Sequence, residues 1–138
     1  KMFIKDLSFR VEFTSYAETH FCREFYKKYK NKQWVETRRT IVDTLERAFL
    51  VQHTKLIDVL KYSQEDNIGI FKYDFKVAGT NVSPKFSGNR AIFSLCNKTG
   101  SIKILLVYGK NNCDKRHTET QWIFEHIKNN FPEYKKYY

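Results

Sequence analysis

The hydrophobic period of this chain switches once along its length, from about 3.6 residues to 2, and that switch restricts the folds open to it. Phe21, Cys22, Phe25 and Tyr29 share one face of a helix expected from Ser15 to about Lys30, with Arg23, Lys27, Lys28 and Lys30 opposite. Ser15 and Glu18 have the spacing of a capping box, in which the hydroxyl accepts from one orphan amide and the carboxylate reaches back to another. Asn31-Lys32 interrupts this helix. A second helix, Gln33 to Phe49, sets Trp34, Ile41, Val42, Leu45 and Phe49 on one stripe. So short a break predicts an antiparallel helical hairpin. Ahead of it, Phe9, Val11 and Phe13 alternate with Arg10 and Glu12 as a short strand would.

Beyond the hairpin the pattern becomes that of a sheet. Lys55 to Tyr62 is open between a helical turn and an extended piece. Phe71, Tyr73, Phe75 and Val77 then alternate with Lys72, Asp74 and Lys76, a clear strand signal. Residues 78–89 collect Gly79, Asn81, Ser83, Pro84, Ser87 and Gly88 and read as the longest loop. Arg90 to Cys96, the turn residues Asn97-Lys98-Thr99-Gly100, and Ile102 to Tyr108 form a hairpin. The continuous Ile-Lys-Ile-Leu-Leu-Val run predicts a central strand covered on both faces. Thr118 caps a last helix bearing Trp122, Ile123, His126 and Ile127, and Pro132 ends it. The expected class is α+β: an N-terminal strand and helical hairpin packed on a small antiparallel sheet, with a C-terminal helix. No repeat or linker divides the chain, so residues 1–138 read as one domain.

Composition narrows the function. A hydrophobic share of 41% with 17% aromatics excludes a disordered tail. No apolar run approaches the roughly 18 residues of a membrane span, so no membrane association is expected. The start, Lys1-Met2-Phe3-Ile4-Lys5, lacks the order of a leader peptide. Three cysteines, Cys22, Cys96 and Cys113, are an odd number without CxxC spacing, which points to a reducing, cytoplasmic setting. There is no phosphate loop, HExxH or GxSxG motif, and His20, His53, His117 and His126 are scattered, so neither a metal nor a cofactor is expected. The formal charge is +10, from 25 Lys and Arg against 15 Asp and Glu. Charge of this sign raises the local concentration of a polyanion such as nucleic acid; alternatively it is solubilising lysine on outer faces.

The segment Ser87-Gly88-Asn89-Arg90-Ala91-Ile92-Phe93, followed by a turn and Ile102-Lys103-Ile104-Leu105-Leu106-Val107-Tyr108-Gly109-Lys110, carries a resemblance. It is similar to the RelE/ParE toxin superfamily of bacterial and archaeal toxin–antitoxin modules, whose members show a Ser-Gly-x-Arg strand, a tight turn and an aliphatic strand ending in a basic residue. The resemblance covers residues 87–127 as sequence and most of the chain as layout. It implies a RelE-like fold and a ribosome-dependent endoribonuclease that cuts messenger RNA without a metal. In that reaction the 2′-hydroxyl attacks the adjacent phosphate, which requires a base, an acid and cations for the phosphorane oxygens. By position in the motif, Arg90, Lys110 and His117 would be catalytic. Arg90 offers a forked donor to two phosphate oxygens, and the unperturbed pKa of an imidazole, about 6.5, suits proton transfer. Lys72, Lys76, Lys85, Tyr108, Lys115 and Arg116 would bind substrate, messenger or ribosomal RNA.

The residues themselves leave bland alternatives open: a surface arginine, solvated lysines, a helix-capping histidine and a core tyrosine. Two departures weaken the nuclease set. Back-counting from Arg90 places neutral Asn81 and Ser83 where RelE-like nucleases carry a basic pair, and Asn111 follows Lys110 where another cation is expected. Non-nucleolytic alternatives therefore stand beside the nuclease: a ParE-like toxin acting on DNA gyrase, or a basic RNA-binding module. In either toxin case the resemblance implies a cognate antitoxin and a hetero-oligomer with it.

Overall fold

The structure, a computed structural model, describes residues 9–47 and 55–137. The end of the second helix at Phe49 and the start at Lys1 to Lys5 lie outside the described residues. Strand β1 (Arg10–Phe13) leads into a helix made of α1 (Ser15–Ala17), a π-helical segment (Glu18–Cys22) and α2 (Arg23–Lys28). Then come α3 (Asn31–Glu46), β2 (Ile57–Ser63), β3 (Ile68–Phe75), the single turn α4 (Pro84–Ser87), β4 (Asn89–Cys96) and β5 (Ser101–Gly109). A 3₁₀ turn (Lys110–Asn112), α5 (Glu119–Asn130) and a second 3₁₀ turn (Pro132–Tyr137) complete the chain. None of the helices described is long and apolar enough to cross a membrane.

Local chemistry sets the helix ends, with two shifts from the expected positions. The first helix is capped by Thr14, not Ser15: its hydroxyl accepts from Ala17 N at 3.2 Å and donates to Ile104 O at 2.9 Å. One threonine thus satisfies a helix orphan and pins the helix to β5. The break falls at Tyr29-Lys30, and Asn31 already belongs to α3. The two helices do form an antiparallel hairpin. Phe25 stacks on Trp34 at 4.6 Å, while Glu18 and Cys22, earlier in the chain, meet Arg38, later in it. Thr118 caps α5 in a reciprocal box with Gln121, as expected.

One five-stranded sheet has the order β1-β5-β4-β3-β2. It is antiparallel across β5, β4, β3 and β2, and β1 adds a parallel edge beside β5. The ambiguous segment resolves as a turn at Lys55-Leu56 followed by strand β2 from Ile57. A register shift between Val59 and Lys61 disrupts its alternation, which is why no two-residue period shows in the sequence.

Both faces of the sheet are covered. The helical hairpin lays Phe25, Trp34, Ile41 and Leu45 over Phe71, Phe75, Phe93 and Ile104. On the other face α5 and the final 3₁₀ turn bury Trp122, Ile123, Ile127 and Tyr134 against Ile70, Ile92, Leu105 and Leu106. A bulge explains the Leu105-Leu106 pair. Ile92 opposes Leu106 and Phe93 opposes Ile104, so Leu105 is the extra residue and both leucines face α5.

The first helix also touches α5 through a ring cluster. Tyr16 Oη lies 2.7 Å from His126 Nδ1, and the His126 ring lies 4.3 Å from that of Trp122. Burial lowers the His126 pKa, His20 lowers it further, and Glu125 opposes both. A base depressed by folding binds its proton more readily in the unfolded chain, so stability present at neutral pH is lost as pH falls from the ordinary imidazole range through the lowered value. Thermal melts should therefore show a falling midpoint between about pH 7 and about pH 5. His126→Gln should flatten that dependence, and an equal slope in the variant would contradict this assignment.

Candidate nucleic-acid interface

The last residue pairs of three strands form one row, Phe75–Asn89–Gly109, at one end of the sheet. Lys76, Lys85 and Lys110 all lie just beyond it in exposed segments. The Ser-Gly-x-Arg segment is what shapes this end. Ser83 caps α4, and the Ser87 hydroxyl donates to Phe75 O or Pro84 O at 2.7 and 2.6 Å while accepting from Asn89 N. Gly88 ends the turn with φ of 76°, a left-handed conformation that a Cβ would strain. Its carbonyl accepts from Lys110 N at 2.7 Å, which locks the α4 loop to the end of β5.

Two cavities flank the β5 end. One, of about 140 Å³, is lined by Glu24, Phe25, Lys28, Asn89, Gly109 and Asn112. The other, of about 240 Å³, is lined by Lys110, Asn111, Cys113, Asp114, Lys115 and His117, together with Glu119. Lys110, Lys115 and His117 are exposed around the second. Arg116 is also exposed, but Asp114 holds it through Nε and Nη2, the latter at 2.8 Å. That same grip pulls the Asp114 carboxyl down to about 2. Burial, then Glu119, pushes the Cys113 thiol up to about 11, so it is protonated at neutral pH and no nucleophile.

The next row inward, Asp74–Arg90–Tyr108, is closed off beneath α5. Arg90 retains 8% of its surface and Asp74 4%. Arg90 Nε lies 3.0 Å from Asp74 Oδ1 and 3.5 Å from Glu119 Oε2, as ion pairs; neither atom of the first pair is in a directed hydrogen bond. Tyr108 Oη donates to Glu119 Oε2 at 2.7 Å, and its ring packs 4.7 Å from that of Trp122. Burial, reinforced by Glu119, drives the Tyr108 hydroxyl well above the ordinary phenol range. Burial likewise raises the Asp74 carboxyl, with Arg90 and then Lys72 opposing it.

The sequence-derived residues thus separate into two layers. Lys76, Lys85, Lys110, Lys115 and His117 surround the sheet end in solvent, whereas Arg90 and Tyr108 lie behind them in a buried ion-pair network. Lys72 is partly covered, with Nζ 3.9 Å from Asp58 on the neighbouring strand. The helical period places Lys28 on the face of the first helix opposite its apolar residues. In the structure it lines the smaller cavity at the sheet end. Only the placement of α2 beside the Asn89–Gly109 end of the sheet puts it there, and the sequence carries no signal of that.

A five-stranded α+β sheet with a helical hairpin on one face and a C-terminal helix on the other is a RelE-like fold. The solved crystal structure of the archaeal RelE–RelB complex from Pyrococcus horikoshii OT3 is similar, with a TM-score of 0.52 at 14% identity. The likeness covers 77% of this chain and 99% of that one. No protein-family model and no curated protein sequence matches the chain.

Proposed function

We propose that this protein is the toxin of a toxin–antitoxin pair and that it acts on RNA at the basic end of its sheet. The fold carries the reading: the likeness spans 99% of the matched chain of that complex, and Lys76, Lys85, Lys110, Lys115 and His117 lie exposed around one end of the sheet. The similar structure is a complex of RelE with RelB. By the same likeness this chain pairs with a cognate antitoxin in a hetero-oligomer, and the basic end is the surface such a partner would mask.

The finer reading is a ribosome-dependent endoribonuclease that needs no metal, gripping messenger and ribosomal RNA through Lys76, Lys85, Lys110 and Lys115. The 2′-oxygen attacks phosphorus as its proton leaves to a base, the bond to the 5′-oxygen breaks, and an acid protonates that oxygen. The products are a 2′,3′-cyclic phosphate and a 5′-hydroxyl. His117 is the proton-transfer residue and Lys110 the cation for the phosphorane oxygens. Arg90, enclosed by Asp74 and Glu119, is a positioning residue that holds α5 and the loop before it over the sheet end.

A second reading is favoured by that same enclosure and by neutral Asn81, Ser83 and Asn111: a toxin or RNA-binding module of this fold that does not cleave. Induced expression followed by mapping of message ends separates the two. New ends with cyclic phosphates on ribosome-bound messages support the nuclease. Intact messages with arrested growth support the non-cleaving reading, and a DNA-damage response among them points to gyrase. Intact messages with unchanged translation and growth overturn the toxin proposal.

A further inference from the structure

Phe86 is 90% exposed, the most exposed of the large apolar side chains described, and Val82 one turn away is 44% exposed. An exposed phenyl on a mobile tail would need no explanation. Phe86 instead sits on a braced turn. Ser83 caps it, Pro84 opens it, Ser87 ties it to Phe75 O, and Gly88 ties it to Lys110. The ordering entropy of this backbone is already spent before any ligand arrives.

The surroundings indicate what would cover the ring. Between Asp74 and Asp114 the sequence contains no carboxylate, and Lys76, Lys85 and Lys110 stand on the segments joined to this turn. An apolar side chain of a partner would gain nothing from that cationic frame. A base attached to a phosphate chain matches both parts of it, ring face on ring face and phosphate beside ammonium.

We propose that Phe86 is a stacking platform for one unpaired base of single-stranded RNA, with Lys85 and Lys76 holding its flanking phosphates. This rests on the RNA reading above and adds to it a specific contact outside the Lys110–His117 cavity. The contact orients the strand and takes no part in bond making or breaking.

Fluorescence anisotropy with the full chain and two labelled RNA probes tests it. One probe is an adenine-rich single strand of about ten nucleotides; the other has the same length and charge but abasic sites at its centre. Phe86→Ala should weaken binding to the first by roughly tenfold, with an unchanged salt slope, and leave the second unaffected. Phe86→Trp should restore the first. Equal affinity of Phe86→Ala and wild type for the adenine-rich probe overturns the proposal, as does equal loss on both probes. Normal RNA binding with impaired antitoxin capture also overturns it and assigns the ring to the protein partner. Wild-type protein that binds neither probe overturns the RNA reading itself, and this proposal with it.

Discussion

Arg90→Met should lower the melting temperature by roughly 10 °C, and adding Asp74→Asn to the same chain should recover part of the loss. Met keeps the length and apolar stem of the side chain, so the lost quantity is the guanidinium charge. Its removal leaves Asp74, 4% exposed, without its nearest cation. Breaking one side of a buried pair costs about 3–5 kcal/mol because the remaining charge is stranded in low dielectric. For a chain of this size that corresponds to a shift of roughly 10 °C. Asp74→Asn removes the stranded charge, so the double variant should be more stable than the single one. A single variant that melts within about 2 °C of wild type would mean the pair is not buried in solution. The result also bears on function. Loss of toxicity in an Arg90 variant is evidence for a role at phosphate only if its fold is intact, and the enclosure by Asp74 and Glu119 predicts that it is not.

Arg90 also shows where sequence reasoning reaches its limit. The strand Phe71-Lys72-Tyr73-Asp74-Phe75 alternates apolar and polar residues, the mark of a sheet with one wet face. The run Ile102 to Val107, two strands across, states the opposite, a strand covered on both faces. Both patterns belong to the same sheet. They are reconciled because α5 covers the second face, where Asp74 and Arg90 sit directly opposite each other and neutralise their charges. Alternation records which residues share a face but not whether a later helix will cover it. The Ser-Gly-x-Arg motif was legible as a landmark for the fold, and its residues have structural reasons to be there: a hydroxyl bracket, a left-handed glycine and an ion-paired arginine. The parallel placement of β1 had no local signal, since it depends on Thr14 and Arg10 bonding to a strand some 90 residues later. The basic residues were legible singly. Their convergence on the Phe75–Asn89–Gly109 row required the strand register, and the inclusion of Lys28 required the packing of a helix.

His117→Ala and Lys110→Ala should each reduce RNA cleavage by about a hundredfold or more while leaving the melting temperature near wild type. The rate effect follows from the roles assigned: proton transfer by a positioned side chain contributes about 10²–10⁴-fold, and a cation at the developing oxyanion contributes on a similar scale. Stability should change little because both side chains are exposed, and substitutions at such sites usually stay within about 0.5 kcal/mol. Affinity distinguishes the two residues further. Lys110→Ala should reduce the salt slope of RNA binding by about one, as expected for one lost phosphate contact, whereas His117→Ala should leave it unchanged. The double variant should be little worse than either single one, because groups serving one transition state are not additive. If the protein binds RNA without cutting it, the slope change at Lys110 survives and both rate effects vanish. If Arg90 is the phosphate ligand instead, its loss must reduce cleavage in protein that still melts as wild type, which its 8% exposure and two carboxylate partners oppose.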